Sequence, residues 1–107
     1  MTLRMMMRFS IPVETGNHAA RTGAFGPAFQ SILEGLKPEA AYFGTAGGER
    51  GGIVVFDMKD TSEIPGIAEQ FFLGFNAKVT FAPVMNAQDL ANAAPGIEKA
   101  VKAAAGS

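Results

Sequence analysis

The sequence predicts an α+β fold with a four-stranded antiparallel sheet and helices on one of its faces. Apolar and polar residues alternate along residues 3–11 and 78–84, as they do in strands with one buried face. Apolar residues recur at helical spacing in residues 29–36 and 64–72. A chain of 107 residues predicts a single domain, with its core in residues 3–85 and a C-terminal helix and tail in residues 86–107.

The first half of the chain predicts a strand followed by a broken helix. Residues 3–11 alternate in polarity, and Pro12 ends this first strand. A helical stretch follows, for which Thr15 or Asn17 is a suitable N-cap. Proline inside a regular helix costs about 3 kcal/mol. Pro27 therefore predicts a kink or two helical pieces, with this residue in the first turn of the second piece.

A β-hairpin is predicted after the broken helix. Pro38 stops the helix, and residues 40–45 form the second strand. Residues 46–52 have the composition of a turn, so the third strand, residues 53–58, is expected to pair with the second. Its four successive apolar residues place apolar groups on both faces of the sheet.

The last part of the chain predicts a helix, a fourth strand and a further helix. Thr61 or Ser62 caps the first of these helices, and Gly74 or Asn76 closes it before the fourth strand.

Asn86 caps the last helix, which Pro95 and Gly96 interrupt and which we expect to fray after Lys102. The resulting β-α-β-β-α-β order is that of a ferredoxin-like domain.

Composition excludes several classes of function. Nine Lys and Arg against ten Asp and Glu give a net charge of −1, and no run of three cations occurs, so nucleic acid is not an expected partner. No apolar window is long enough for a membrane span, and the apolar residues 5–7 are too few for a signal peptide, so we expect a cytoplasmic location. The absence of cysteine and the presence of one histidine predict no metal and no cofactor.

The sheet face without helices predicts self-association. We expect Met6, Val54 and Phe56 on this face, which is more apolar surface than a small monomer usually exposes. Burying several hundred Å² at about 25 cal/mol per Å² is worth on the order of 10 kcal/mol before association costs. The sequence therefore predicts a homodimer through the open sheet face.

Four segments carry a resemblance to a known superfamily: MRFSIPVETGN, LKPEAAYF, GGIVVFDM and FNAKVTFAPVM. Over residues 3–90 the chain resembles the dimeric α+β barrel proteins, which include small monooxygenases and muconolactone-isomerase-like proteins. Within them it is similar to a group of short bacterial proteins of unknown function. The resemblance implies a dimeric barrel of two sheets, and it brings no catalytic motif or substrate with it.

Two polar groupings are candidate sites. Glu14 and Arg21 flank His18 at helical spacing, so Glu14 could orient His18 as a general base while Arg21 holds an anion. The alternative is a solvated start of a helix. Arg8 is a candidate anchor for an anion, with Tyr42 as its hydrogen-bonding partner. The alternative for Arg8 is an ion pair within the chain or at an interface.

Phe25 and Phe75 are candidates for the lining of an apolar cavity, although core packing is the default role of such residues. Three functions remain open. The first is a homodimeric domain that binds a small apolar or weakly acidic molecule, and the second is a cofactor-free isomerase or monooxygenase-like enzyme. The third is a structural or assembly module. A pocket containing Arg8 or His18 favours the first two functions, and a filled interior favours the third.

Overall fold

A computed structural model of the protein describes residues 1–106, in which three helices cover one face of a four-stranded sheet. The elements follow one another as β1 (Leu3–Ile11), α1 (Val13–Thr22), α2 (Phe25–Leu36), β2 (Ala40–Ala46), β3 (Glu49–Met58), α3 (Glu63–Phe75), β4 (Lys78–Pro83), α4 (Ala87–Asn92) and α5 (Ala94–Ala105). The strand order is β2-β3-β1-β4 and every neighbouring pair is antiparallel. This is the ferredoxin-like α+β fold that the sequence predicts. No helix among residues 1–106 is long and apolar enough to cross a membrane.

The core lies between the sheet and helices α1–α3. Alternate residues of β1, from Met5 to Ile11, are buried beneath the helices. The inward-facing residues of β3 and the apolar stripe of α3 belong to the same core cluster. Met7 and Phe71 are completely buried at the centre of this layer. The alternation predicted for the first strand is therefore confirmed.

The broken first helix is confirmed, but its start was predicted too late. Helix α1 begins at Val13 directly after Pro12, so neither Thr15 nor Asn17 is its N-cap. Pro12 occupies the N-cap position with a φ of −53°, a value that the proline ring allows. Helix α1 begins without a side-chain cap. Gly23, with a φ of +74°, ends α1 in the left-handed conformation that favours glycine. Pro27 lies in the first turn of α2, as predicted.

The hairpin between β2 and β3 is tighter than predicted. Its turn consists of Gly47 and Gly48 alone, with φ values of +61° and +82°, a pair that suits a two-residue hairpin loop. Ala46 pairs with Glu49, so residues 49–52 are part of β3 and not of the turn. The glycines at 51 and 52 suggested a loop, but both lie in the ladder.

The prediction that Val54 and Phe56 lie on the open sheet face is wrong. These residues are 1% and 2% exposed, because the register pairs Phe56 with Met5 and Val54 with Met7 on the helix-covered face. Ile53 and Val55 take the other face. Four successive apolar residues gave no phase for the alternation, so only the register decides which pair faces outward.

The face of the sheet opposite α1–α3, called the open face below, remains apolar at its centre. Met6 of β1 lies between Val55 of β3 and Ala82 of β4, and Ile53 lies between Arg8 and Tyr42. Further residues of this face are Ala40, Thr80, Ser10, Lys78, Asp57 and Arg4.

The remaining helix ends agree with the predictions in part. Asn76, with a φ of +52°, closes α3, and Ser62 holds its N-cap position without a side-chain hydrogen bond. Asn86 forms a capping box with Asp89 at the start of α4, as predicted. Helix α5 continues to Ala105, three residues beyond Lys102, where fraying is predicted. The break near Pro95 separates α4 from α5.

Candidate ligand-binding site

Six phenylalanine side chains form a continuous cluster at the end of the core nearest the β2–β3 hairpin. The ring of Phe29 lies at its centre, 5.2 Å from Phe75, 5.4 Å from Phe43, 5.6 Å from Phe9 and 5.8 Å from Phe25, measured between ring centres. Phe71 completes the cluster, 5.0 Å from Phe9. These are the separations at which aromatic pairs stabilise one another.

The cluster does not fill the space between α2 and the sheet. A pocket of about 250 Å³ remains there, and its walls are mostly apolar. We call it the aromatic pocket; it is lined by Phe9, Ile11, Phe25, Phe29, Phe43, Gly44, Arg50 and Gly51. Ligand sites usually combine apolar walls with a small number of placed polar groups. The aromatic pocket has this composition, with one charged side chain.

Arg50 is the charged residue of the aromatic pocket. Its guanidinium lies 5.8 Å from the ring centre of Phe25, and its Nη1 donates a hydrogen bond of 3.1 Å to Oδ1 of Asn17 in α1. Gly16 makes this position possible, because a Cβ there would lie 2.6 Å from Nη1. The arginine is therefore held across the surface of α1 and over an aromatic ring, where a cation is attracted by the π electrons.

A second pocket, of about 290 Å³, shares Phe9, Phe43, Gly44 and Gly51 with the aromatic pocket. It adds side chains of the open face, Arg8, Tyr42 and Ile53 among them, and we call it the open-face pocket. Part of its wall is formed by Gly44, Gly51 and Gly52, where the sheet carries no side chains. Arg8 and Tyr42, the candidate anion anchor and its hydrogen-bonding partner, both line this pocket, and Ile53 lies between them in the ladder. Arg8 is exposed in the single chain.

The ion pair considered for the first strand is formed by Arg4 instead. Its Nε donates to Oε1 of Glu39 at 2.6 Å, and its Nη1 binds Oδ2 of Asp89 in α4. The hydrogen bond to Glu39 raises the pKa of Arg4, partly opposed by desolvation and reinforced by the charges of Asp89 and Asp57. These contacts attach α4 to the start of β1 on the open-face side.

His18 lies apart from both pockets. It is exposed on α1 and lines a cleft of about 440 Å³ between α1, α2 and α3, together with Phe75 and the polar side chains of Ser31 and Gln70. Within residues 1–106, no hydrogen bond or ion pair joins His18 to Glu14. Arg21 and Glu14 are exposed on the same helix and line none of the three pockets described here.

The predicted lining residues Phe25 and Phe75 are stacked on each other, with ring centres 5.5 Å apart. Phe25 lines the aromatic pocket, while Phe75 is a buried wall of the His18 cleft. Sequence reasoning missed Arg50, because residues 46–52 were assigned to a turn. A two-residue Gly47–Gly48 loop would have continued β3 back to this residue and placed it opposite Ile11.

No group of three or more His, Cys, Asp or Glu side chains among the described residues could hold a metal ion. No protein-family model matches the sequence, and no match was found among curated proteins. Among solved structures the chain is similar to the de novo designed protein Ferredog-Diesel, with 14% identity over 77% of this chain and 84% of that one and a TM-score of 0.42. The assignment of the fold rests on the strand order and register given above.

Proposed function

We propose that the protein is a homodimeric binding protein for a small apolar molecule with an acidic group. The observation that carries this proposal is the aromatic pocket with a fixed guanidinium at its wall. A pocket of about 250 Å³ is smaller than the roughly 300–1,000 Å³ of sites for drug-sized ligands. Its size suits a ligand with a single ring or a short branched chain.

The polarity of the aromatic pocket selects a monoanion. Phenylalanine rings supply apolar contact without hydrogen bonds, so the only strong polar contact comes from Arg50. Arginine binds a carboxylate with two parallel hydrogen bonds, and its charge does not depend on pH in the accessible range. Because Asn17 already accepts from Nη1, the guanidinium is oriented before the ligand arrives.

Association through the open face is the second part of the proposal. Met6, Ile53 and Val55 form an apolar centre that no helix of α1–α3 covers. The self-association predicted from Val54 and Phe56 is therefore proposed for Ile53 and Val55 instead. A partner that covers these side chains removes apolar surface from water, which favours association. Arg8 and Tyr42 of the open-face pocket would then lie at the edge of the dimer interface.

The binding proposal is tested with phenylacetate and its uncharged analogue phenylacetamide, titrated calorimetrically into the 107-residue protein. We expect phenylacetate to bind about tenfold more tightly, the effect of one charged hydrogen bond in a partly exposed site. Arg50→Gln should abolish this preference. Arg21→Gln, which removes an exposed arginine outside the pocket, is the matched control and should retain it. Absence of binding by both compounds, or a preference that survives Arg50→Gln, would overturn the proposal.

The cofactor-free enzyme remains an alternative, because His18 lines a cleft with hydroxyl and amide groups. It requires turnover that is lost in His18→Ala while the far-ultraviolet circular dichroism is unchanged. Arg50→Gln should leave such turnover intact if the chemistry lies in the His18 cleft.

A further inference from the structure

Residues 86–106, called the arm below, form helices α4 and α5 and extend from the end of β4. Every residue of α5, Ala94 to Ala105, is exposed. Yet α5 is amphipathic: Ala94, Ile97 and Val101 follow one another at helical spacing on one side, and Lys99 and Ala103 lie on the other. Ile97 and Val101 are 54% and 62% exposed, and Leu90 of α4 is also exposed. An apolar stripe of this kind stabilises a helix only when it is covered.

The dimensions of the chain show that it is elongated. The radius of gyration is 17.8 Å and the longest axis is 62 Å. A compact chain of this length has a radius of gyration of about 13 Å. The accessible surface is 7175 Å², which exceeds by about 1,500 Å² the surface of roughly 5,700 Å² expected for a compact protein of 11.2 kDa.

We propose that the arm of one copy lies across the open face of a second copy, and that the exchange is reciprocal. The inference rests on the homodimer proposed above and specifies what covers each open face. The stripe of α5 packs on Met6, Ile53 and Val55 of the partner, so two unpartnered apolar surfaces of the same chain cover each other. The contact is self-complementary, as a twofold dimer requires.

The sizes of the two surfaces agree. Helix α5 has 12 residues and is about 18 Å long at 1.5 Å per residue. Five or six residues of a strand cover the same length at about 3.3 Å each, which is the part of β1 and β3 between the Arg4–Asp57 and Ser10–Gly51 pairs. A helix about 10 Å wide covers two neighbouring strands.

The area also suits a stable dimer. A standard interface removes about 800 Å² from each partner. The excess accessible surface of about 1,500 Å² per chain is larger than this area. In a reciprocal exchange each chain buries surface at two places, on its arm and on its open face.

The root of the arm is fixed on its own sheet, whereas α5 beyond it is exposed. Arg4 joins Asp89 of α4 to the start of β1, and the Asn86–Asp89 capping box holds the first turn of α4. With its root held at one end of its own open face and α5 exposed throughout, the stripe is presented to another copy and not to the chain that carries it.

The first test compares two variants on opposite sides of α5 by analytical ultracentrifugation. Val101→Glu places a charge in the stripe, and Ala103→Glu places the same charge about 200° further around the helix. Both residues are exposed in the single chain, so neither variant should alter the fold by circular dichroism. We expect the dissociation constant of the dimer to increase at least about tenfold for Val101→Glu and to stay unchanged for Ala103→Glu. Equal dissociation in the two variants would overturn the arm exchange.

The second test uses disulfide formation, for which the absence of cysteine gives a clean background. An oxidised mixture of the single variants Val101→Cys and Val55→Cys should give a crosslinked pair containing one of each. Predominant self-crosslinking of Val55→Cys would show stacked sheets, which overturns the arm exchange and leaves the homodimer. A chain that carries both Val55→Cys and Val101→Cys could also form the disulfide within itself and keep the mass of a monomer. That result would show an arm folded onto its own sheet and would overturn the exchange. A wild-type chain that is monomeric would overturn the arm exchange and the homodimer, whereas the binding of phenylacetate beside Arg50 is tested separately.

Discussion

Two glycines that face each other across β2 and β3 should respond oppositely to the same substitution. Gly44 and Gly51 are directly paired in the ladder. A Cβ at position 44 meets no atom within 4 Å, whereas a Cβ at position 51 would lie 2.4 Å from the carbonyl oxygen of Phe9 and 3.1 Å from Cβ of Ala46. We therefore expect Gly51→Ala to destabilise the fold and Gly44→Ala to leave its stability unchanged or raise it.

The magnitude follows from the geometry. An ordinary carbon–oxygen contact between strands is about 3.3–3.6 Å, so the backbone around Gly51 would have to move by about 1 Å. Such overpacking costs about 1–3 kcal/mol in the free energy of unfolding. Replacing glycine by alanine also restricts the unfolded chain, which stabilises by about 0.4–1 kcal/mol where the native conformation accepts alanine. The two variants should thus differ by about 2 kcal/mol.

The assay is urea unfolding followed by circular dichroism, at one protein concentration because self-association would add to the apparent stability. For a domain of this size a difference of about 2 kcal/mol corresponds to about 8–16 °C in Tm or about 0.7–2 M in the urea midpoint. The reasoning is refuted if Gly51→Ala is as stable as Gly44→Ala, since the register that pairs Ser10 with Gly51 and places the carbonyl oxygen of Phe9 against Gly51 would then be wrong.

Three further outcomes are expected. Phe71→Ala should lower the unfolding free energy by about 3–5 kcal/mol in thermal or urea melts, because Phe71 is 0% exposed, while Phe72→Ala, at a residue 41% exposed, should cost much less; equal losses would contradict the assigned helix face. The pKa of Asp60 is lowered by the hydrogen bond from the backbone N–H of Ser62, so its stabilising contribution is complete above the ordinary value of 3.8 and disappears as pH falls through the lowered pKa. Unfolding curves from pH 5 to pH 2 should therefore show a smaller acid-induced loss in Asp60→Asn than in the wild type, and an identical loss would refute the assignment. Asn86→Ala should reduce the helix content of the arm and destabilise α4 by about 1 kcal/mol, measured by hydrogen exchange of its amides, and unchanged exchange would contradict the capping box.

The elements with a clear period could be predicted from the sequence. Residues 3–11 alternate in polarity except at Met6, so both the strand and its buried face followed from the pattern. The break between α1 and α2 followed from Pro27, since proline fits a first turn and not a helix interior. In both cases one local property determines the structure, and tertiary contacts only reinforce it.

The phase of β3 could not be predicted for a physical reason. Val54 and Phe56 differ from Ile53 and Val55 in no property that selects a face, so the choice depends on pairing with β1. The same uncertainty concealed Arg50. Glycine is unfavourable inside a strand, so residues 47–52, which have two glycines at each end, were predicted to form a loop. A two-residue turn at Gly47 and Gly48 is sufficient for the hairpin.

Gly44 also distinguishes the two pockets as the site of the acidic ligand. Tyr42 and Gly44 are two residues apart in β2, so a side chain at position 44 projects to the open face, into the pocket that contains Arg8 and Tyr42. Gly44 lines both pockets through its backbone, but the methyl group added by Gly44→Ala lies on the open-face side of the sheet. If phenylacetate binds in the aromatic pocket beside Arg50, this variant should therefore change its affinity by less than about twofold. If the affinity falls tenfold in this variant while Arg50→Gln has no effect, the ligand occupies the open-face pocket and Arg8 is its anchor. Because the methyl group of Gly44→Ala meets no atom within 4 Å, a loss of binding could not be attributed to unfolding. The same glycine that makes a neutral stability control therefore decides which arginine binds the anion.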